Sequence, residues 1–185
     1  MTRFFFDTAT SLDGFIADDA DSLAWLFAVP DGESPADELL PHDHAVLVEG
    51  STTYEWLVRE SDILTHPEKW QEFHGDRPVF VFTTRQLPVP AGADVRFVSG
   101  SVAEALPRIR EAAGDGDVWV VGGGDLAGQF FDAGVLTRIA ISIAPVALGS
   151  GAPLLPRRIE SDRLTLVEAK AVGQFARVVF DVRMT

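Results

Sequence analysis

The sequence predicts an α/β fold in which a mostly parallel sheet flanked by helices finishes in an antiparallel strand ribbon. Three observations predict it. The apolar runs at Arg3–Ala9, Ala45–Val48, Pro78–Phe82, Val95–Val98 and Val118–Val121 are near-continuous rather than alternating, as strands buried on both faces require. Helix-start signals follow two of them, Thr52 with Glu55 and Ser101 with Glu104, each a Ser/Thr-x-x-Glu box. The last third changes period. Ile139, Ile141 and Ile143 alternate with small residues, and Val178, Phe180 and Val182 alternate with Val179, Asp181 and Arg183.

Taken in order, Arg3–Ala9 enters a turn at Thr-Ser-Leu-Asp-Gly. Residues 18–35 are acidic with isolated apolar anchors (Leu23, Trp25, Leu26) and read as a long ordered loop, and Pro35 after Ser34 opens a short helix to about residue 40. The Ala45–Val48 strand closes at Glu49-Gly50, and the Thr52–Glu55 box opens a helix to about Arg59. The Ser101–Glu104 box opens another to about Ala113, where Pro107 predicts a kink or a later start. Val118–Val121 runs into three glycines and a helix over Leu126–Ala133. Leu164–Val172 is a strand turned back by Gly173-Gln174. With no repeat, low-complexity segment or linker, residues 1–185 are expected to form one domain.

Composition narrows the function classes. The 185 residues are 46% hydrophobic and 23% charged, an ordinary globular balance. No apolar run approaches the ~20 residues of a membrane span. The N-terminus lacks a basic stretch followed by a long apolar one, so a cytoplasmic protein without a membrane partner is expected. The 28 Asp and Glu against 15 Lys and Arg give a net charge of −13, without the basic stripe that nucleic acid needs. There is no cysteine, which excludes thiolate chemistry and cysteine-ligated metals. His42, His44 and His66 read as surface or junction residues, and no metal is expected.

The sharpest local feature is Val121-Gly122-Gly123-Gly124-Asp125-Leu126, a strand running through glycines into a helix. Glycine permits close backbone approach, and the helix start offers free N–H groups to a phosphate. The letters satisfy a G-x-G-x-x-A pattern. They lie two-thirds along the chain, however, and Ile141–Gly149 lacks the acid a Rossmann unit places ~20 residues on. A tight turn and a non-Rossmann nucleotide site both remain. Gly50-Ser51-Thr52-Thr53 and Thr83-Thr84-Arg85 also follow strands. If those strands are parallel, all three loops meet on one sheet edge with the donors and the cation that a dinucleotide needs.

Thr10–Ala17, Gly50–Tyr54, Phe82–Arg85, Val121–Phe130 and Ile141–Gly151 occur in the order found in the dihydrofolate reductase superfamily. The branch the chain resembles holds the reductase domain of riboflavin biosynthesis and its stand-alone small relatives. The resemblance spans nearly the whole chain and implies a mixed eight-stranded sheet. It also implies NADPH bound across the strand ends, donating hydride to C=N or C=O. Gly122, Gly123 and Gly124, with Val121, Asp125 and Leu126 beside them, would face the pyrophosphate and nicotinamide. Thr52 and Thr53, led by Gly50 and Ser51, would cover the pyrophosphate. Thr83, Thr84 and Arg85 would hold the adenosine ribose, Arg85 taking a 2′-phosphate. Ala9, Ile16 and Ala17 would line the nicotinamide pocket, within a Leu12–Ala17 flap.

One departure is Ser51, where the family usually carries Arg. A charge-assisted contact worth ~1.5–3 kcal/mol is missing, so NADPH is expected but NADH stays possible. The candidate proton donors are Asp37 and Glu38, which could equally be a solvated helix face, and Asp13, which could equally form an Asp-Gly turn. Trp25 and Phe27 are candidate walls for a planar substrate, although lone aromatics are more often core residues. The expected function is reduction of a small planar heterocycle (pterin- or flavin-precursor-like) or a carbonyl compound. The alternatives are a non-catalytic nucleotide- or ligand-binding protein and a purely structural dimer. Relatives are commonly dimers, so a homodimer is expected. No deaminase half is expected, since the chain begins at its first strand and lacks the cysteines of that zinc signature.

Overall fold

The computed structural model describes residues 2–30, 41 and 44–183. Its main sheet has eight strands: β1 (Phe4–Thr10), β3 (His44–Gly50), β4 (Val79–Phe82), β5 (Val95–Val98), β6 (Asp117–Gly122), β7 (Leu136–Ile143), β9 (Leu164–Val172) and β10 (Phe175–Val182). Their order is β5-β4-β3-β6-β1-β7-β10-β9. All pairs from β5 to β7 are parallel, and β10 runs antiparallel to both β7 and β9. The mostly parallel body and the antiparallel C-terminal ribbon expected from the sequence are both present. Two short strands, β2 (Phe15–Ala17) and β8 (Ala152–Pro153), form a separate antiparallel pair.

The helices are α1 (Ala24–Phe27), α2 (Ser51–Glu60), α3 (Glu68–His74), α4 (Val102–Ala113) and α5 (Gly124–Asp132). Successive strand residues face opposite sides, so an apolar run feeds two cores at once. Phe4, Phe6, Val46, Val48, Val118 and Val120 pack with Val102, Ala105 and Ile109 of α4 and Leu126, Ala127 and Phe130 of α5. On the other side Leu47, Val79, Val81 and Trp119 pack with Tyr54 of α2 and Trp70 of α3. This double coverage explains the lack of alternation in the sequence. It also buries Glu49, whose Oε1 lies 3.3 Å from His74 Nε2, both side chains almost completely inaccessible.

Two helix starts differ from the sequence reading. α2 begins at Ser51 with Gly50 as its cap, and no side chain caps it. Thr52 therefore sits inside the helix and the Thr52–Glu55 box does not form. Glu55 instead receives two hydrogen bonds from Arg85, at 2.9 and 2.5 Å. The second box is real. Ser101 Oγ accepts from the Glu104 N–H (3.3 Å), and Glu104 Oε2 accepts from the Ser101 N–H (2.8 Å). α4 starts there and continues through Pro107, so no later start occurs. Pro107 lies on the exposed side of α4, where water can satisfy the carbonyl of Ala103 that lost its partner. α3 was not expected from sequence, and the helix expected over 35–40 lies outside the described residues.

The loop between β1 and β2 is fixed against the far end of β7. Asp13 accepts from the Ser11 hydroxyl (2.6 Å) and from the N–H groups of Leu148 (3.0 Å) and Gly149 (2.6 Å). The Leu12 N–H donates to the Val146 carbonyl at 2.6 Å. Gly151 adopts φ +141°, and a β-carbon there would collide with the Ala17 carbonyl oxygen. These contacts set Ile16 and Ala17 beside the carboxyl ends of the parallel strands.

Two stability predictions follow from these contacts. Ser101→Ala removes the α4 cap and is expected to cost about 1 kcal/mol, read as a lower denaturant midpoint at unchanged slope. The hydroxyl of Ser11 and the N–H groups of Gly149 and Leu148 hold the Asp13 carboxyl down at about 2. A lowered folded-state value means that this contribution is complete above pH ~4 and is lost as pH falls toward about 2. Thermal midpoints across that interval should fall less steeply in Asp13→Asn than in the parent, and parallel curves would refute the assignment.

Candidate active site

The carboxyl ends of β1, β3, β4, β5 and β6 open onto a cleft of about 900 Å³. One part of its wall is made of backbone and hydroxyl groups: Gly50–Thr53, Thr83 and Thr84, Ser99 and Gly100, and Gly122–Leu126, closed from above by Ile16 and Ala17. Parallel pairing of β4, β3 and β6 brings three loops to one edge although they are some thirty to forty residues apart in sequence.

What these loops present is donors. α2 and α5 both begin at glycine caps, Gly50 and Gly123, with no side-chain cap on either. The first N–H groups of a helix have no partner within it. In α4 the capping box satisfies part of that need; in α2 and α5 no side chain does, and both starts face the cleft. The two glycine caps lie against each other, a β-carbon on Gly50 coming within 3.5 Å of the Gly123 nitrogen.

The three glycines of the turn have different duties. A β-carbon on Gly124 would collide with the carbonyl oxygens of Pro153 and Leu154, so this residue is small to admit β8. One on Gly122 would crowd Thr53 Oγ1 at 3.3 Å. One on Gly123 would meet only Ile16 Cδ1, at 3.9 Å, and would otherwise project into open cleft. The Gly122–Gly123 peptide is cis. Asp125 lies on the cleft wall, and its charge is answered by Gln129 Nε2 (2.9 Å) and Arg157 Nη1 (3.0 Å), which hold its carboxyl below the ordinary range.

The rest of the wall is apolar and aromatic, with one polar cluster at its base. Leu23, Leu26, Phe27, Trp56, Leu57, Phe73, Trp119 and Phe175 line it, together with Ala9. Phe27 and Trp56 stack nearly parallel at 8°, with centroids 6.1 Å apart. Asp7 of β1 and Ser142 of β7 reach the cleft from the sheet. Arg177 of β10 donates to both Asp7 oxygens at 2.6 Å, and its Nη1 also donates to Ser142 Oγ at 3.0 Å. Burial pushes the Asp7 carboxyl up, against the pull of the Arg177 guanidinium.

The sequence-derived candidates distribute unevenly over this geometry. Ala9, Ile16, Ala17, Gly50, Ser51, Thr52, Thr53, Thr83, Thr84, Val121, Gly122, Gly123, Gly124, Asp125 and Leu126 all line the cleft, as does Phe27. Arg85 does not line it; it lies on Glu55 beside Thr83 and Thr84. Trp25 turns away, donating to the Ser22 carbonyl (3.2 Å) and packing with Val29, Ala144 and Phe175. Asp13 is outside the cleft, its carboxylate committed to the loop. Asp37 and Glu38 lie outside the described residues. Sequence reading missed Asp7, Ser142 and Arg177. The available signal was a charge standing alone in each apolar strand, Asp7 in Phe4–Thr10 and Arg177 in Phe175–Val179.

The geometry has counterparts among known proteins. Two Bacillus subtilis (strain 168) proteins are similar to the chain. YwjB is 28% identical over 167 residues, 90% of each chain, and YyaP is 27% identical over 155 residues, 82% of this chain and 79% of that one. Two crystal structures share the fold. A putative riboflavin biosynthesis protein from Shewanella sp. PV-4 has a TM-score of 0.72 at 23% identity, each chain 99% covered. A diaminohydroxyphosphoribosylaminopyrimidine deaminase/5-amino-6-(5-phosphoribosylamino)uracil reductase from Thermotoga maritima has a TM-score of 0.66 at 16% identity. The match takes in 98% of this chain but 57% of that one. The sequence model of the RibD C-terminal domain matches residues 4–178, so the chain belongs to the RibD C-terminal domain family, a reductase-related family with a dihydrofolate reductase-like fold.

Proposed function

We propose that the chain is an NADPH-dependent reductase acting on C=N or C=O of a small planar heterocycle or carbonyl compound. The observation that carries this reading is the pair of uncapped, glycine-led helix starts facing one cleft, next to an aromatic chamber. Free N–H groups and the positive ends of α2 and α5 suit a pyrophosphate, and Thr52, Thr53, Thr83 and Thr84 supply hydroxyl donors around it. The space at Gly123 suits a flat ring laid against backbone. These residues fit the dinucleotide. Bound there, NADPH would supply the hydride that, with a proton, reduces the C=N or C=O bond.

The roles of the protein groups follow from that fit. Gly50–Thr53 and Gly122–Leu126 hold the phosphates and the nicotinamide end. Ala9, Ile16 and Ala17 exclude water from the ring face. Phe27 and Trp56 hold a planar substrate by stacking. Arg85 is the group for a 2′-phosphate. Its bond with Glu55 joins two exposed side chains and is worth at most about 1 kcal/mol, whereas a charge-assisted phosphate contact gains about 1.5–3 kcal/mol. Exchange of Glu55 for the phosphate is therefore downhill. A second reading, ligand binding without turnover, is favoured by Asp13 lying outside the cleft with its carboxylate committed to the loop, so that it cannot serve as the proton donor.

NADPH added to the protein should quench the fluorescence of Trp56 and Trp119, which line the cleft, and raise the thermal midpoint. An unchanged midpoint at saturating cofactor would defeat the proposal. Arg85→Ala should weaken NADPH by about tenfold and leave NADH unaltered; equal weakening of both would remove Arg85 from the 2′-phosphate role. Oxidation of NADPH in the presence of a pteridine or pyrimidine substrate separates the reductase from the ligand-binding reading.

A further inference from the structure

The substrate end of the cleft carries more information than its aromatic walls. Among the described residues lining the cleft the charged side chains are Asp7, Asp21 and Asp125, and there is no lysine, arginine or histidine. Arg177 is buried behind the wall and spent on Asp7 and Ser142. Arg157 is spent on Asp125 and Asp132. The uncapped starts of α2 and α5 belong to the part assigned to the dinucleotide. A phosphorylated substrate would thus bring a dianion to a wall on which the described residues place carboxylates and no cation.

The polar cluster at the base of the chamber has a defined hydrogen-bond code. The two Asp7 oxygens each accept one guanidinium N–H and keep a further acceptor site. Ser142 Oγ accepts from Arg177, so its own hydroxyl proton is left to donate. Side by side on the cleft wall, these groups offer an acceptor and a donor. Their complement is an adjacent N–H and C=O, the edge of a cyclic amide.

We infer that the chain takes an unphosphorylated, planar nitrogen heterocycle whose lactam edge lies on Asp7 and Ser142, with Arg177 as the positioning residue that fixes both. This rests on the reductase reading for the role of the cofactor half. It separates the chain from a phosphoribosylamino-pyrimidine reductase. A neutral ring leaves the Asp7–Arg177 pair balanced, and only an N–H donor gains a charge-assisted bond to the carboxylate.

The test is calorimetric titration of the full chain with two ligand pairs. Lumazine carries the lactam edge on a planar bicycle; 1,3-dimethyllumazine keeps the ring and has no N–H. Uridine and UMP differ by the phosphate alone. Lumazine is expected to bind at least about tenfold more tightly than its dimethyl form, with the gap collapsing in Asp7→Asn. Ser142→Ala, a milder change, should weaken lumazine several-fold. Over saturating NADP⁺, UMP should bind no better than uridine. Equal binding of lumazine and dimethyllumazine, no binding of lumazine, or tighter binding of UMP would each overturn the inference. The lumazine pair is also titrated without cofactor, while NADPH binding is read on its own. Loss of cofactor binding with retained lumazine discrimination would sink the reductase reading and leave this one standing.

Discussion

The arrangement of this protein depends on a run of parallel strands that are buried on both faces. Parallel pairing forces each crossover to return over a sheet face, and the returning helices cover the strands above and below. The carboxyl ends of these parallel strands then fall on one edge, and at two of them the chain passes from strand to helix within one or two residues. Gly50 does this between β3 and α2, and Gly123 between β6 and α5. Neither residue has a side chain with which to cap the helix it opens. The shortness of the turn and the openness of the helix start are one constraint seen twice, and the cleft is its result.

That constraint also explains how an acidic chain can hold an anion. The net charge of −13 acts through solvent and is screened beyond a Debye length of about 8–10 Å, whereas a helix start acts at hydrogen-bond distance. The acid nearest to the glycine turn, Asp125, is answered by Arg157 and Gln129 from within the same end of the fold. Gly128 lets this happen: a β-carbon there would come within 2.8–2.9 Å of the Arg157 side chain, which lies flat across the helix. Local donors and local neutralisation outweigh the distant excess of carboxylates.

Local patterns in the sequence carried the strands, the glycine turn and the Ser101–Glu104 cap, because each is decided by residues within one or two turns of one another. What escaped was decided at long range. Thr52 and Glu55 have the letters of a capping box, yet Glu55 is drawn to Arg85, thirty residues away across the β3–β4 pairing. α3 is only seven residues long and starts after Pro67, too short for a helical period to stand out. Asp7 and Arg177 are 170 residues apart, and their meeting needs β1, β7 and β10 in adjacent register. Thr10-Ser11-Leu12-Asp13-Gly14 was legible as a turn, but the partners of Asp13 lie beyond β7. Resemblance to a family supplied the glycine- and threonine-rich wall of the cleft, while Asp7, Ser142 and Arg177 had no motif to announce them.

The Asp7–Arg177 pair is the most informative of those residues because stability alone does not account for it. Taking two charges out of water costs several kcal/mol each, and their attraction recovers this only with good geometry. Here the geometry is good, two bonds of 2.6 Å with both side chains about nine-tenths buried. Well-packed apolar residues of similar volume would still serve a sheet interior as well or better. Phe6 and Val179 show that the same strands bury apolar side chains without difficulty. The pair is also placed off-centre, with Asp7 and Ser142 on the cleft wall and Arg177 behind them. A buried pair whose acceptors and whose serine face a ligand chamber differs from one enclosed in a core, since its remaining hydrogen-bond capacity can be satisfied only by what enters. The energetic burden of burying it falls on the folded state, and the return comes when a ring of matching edge is bound.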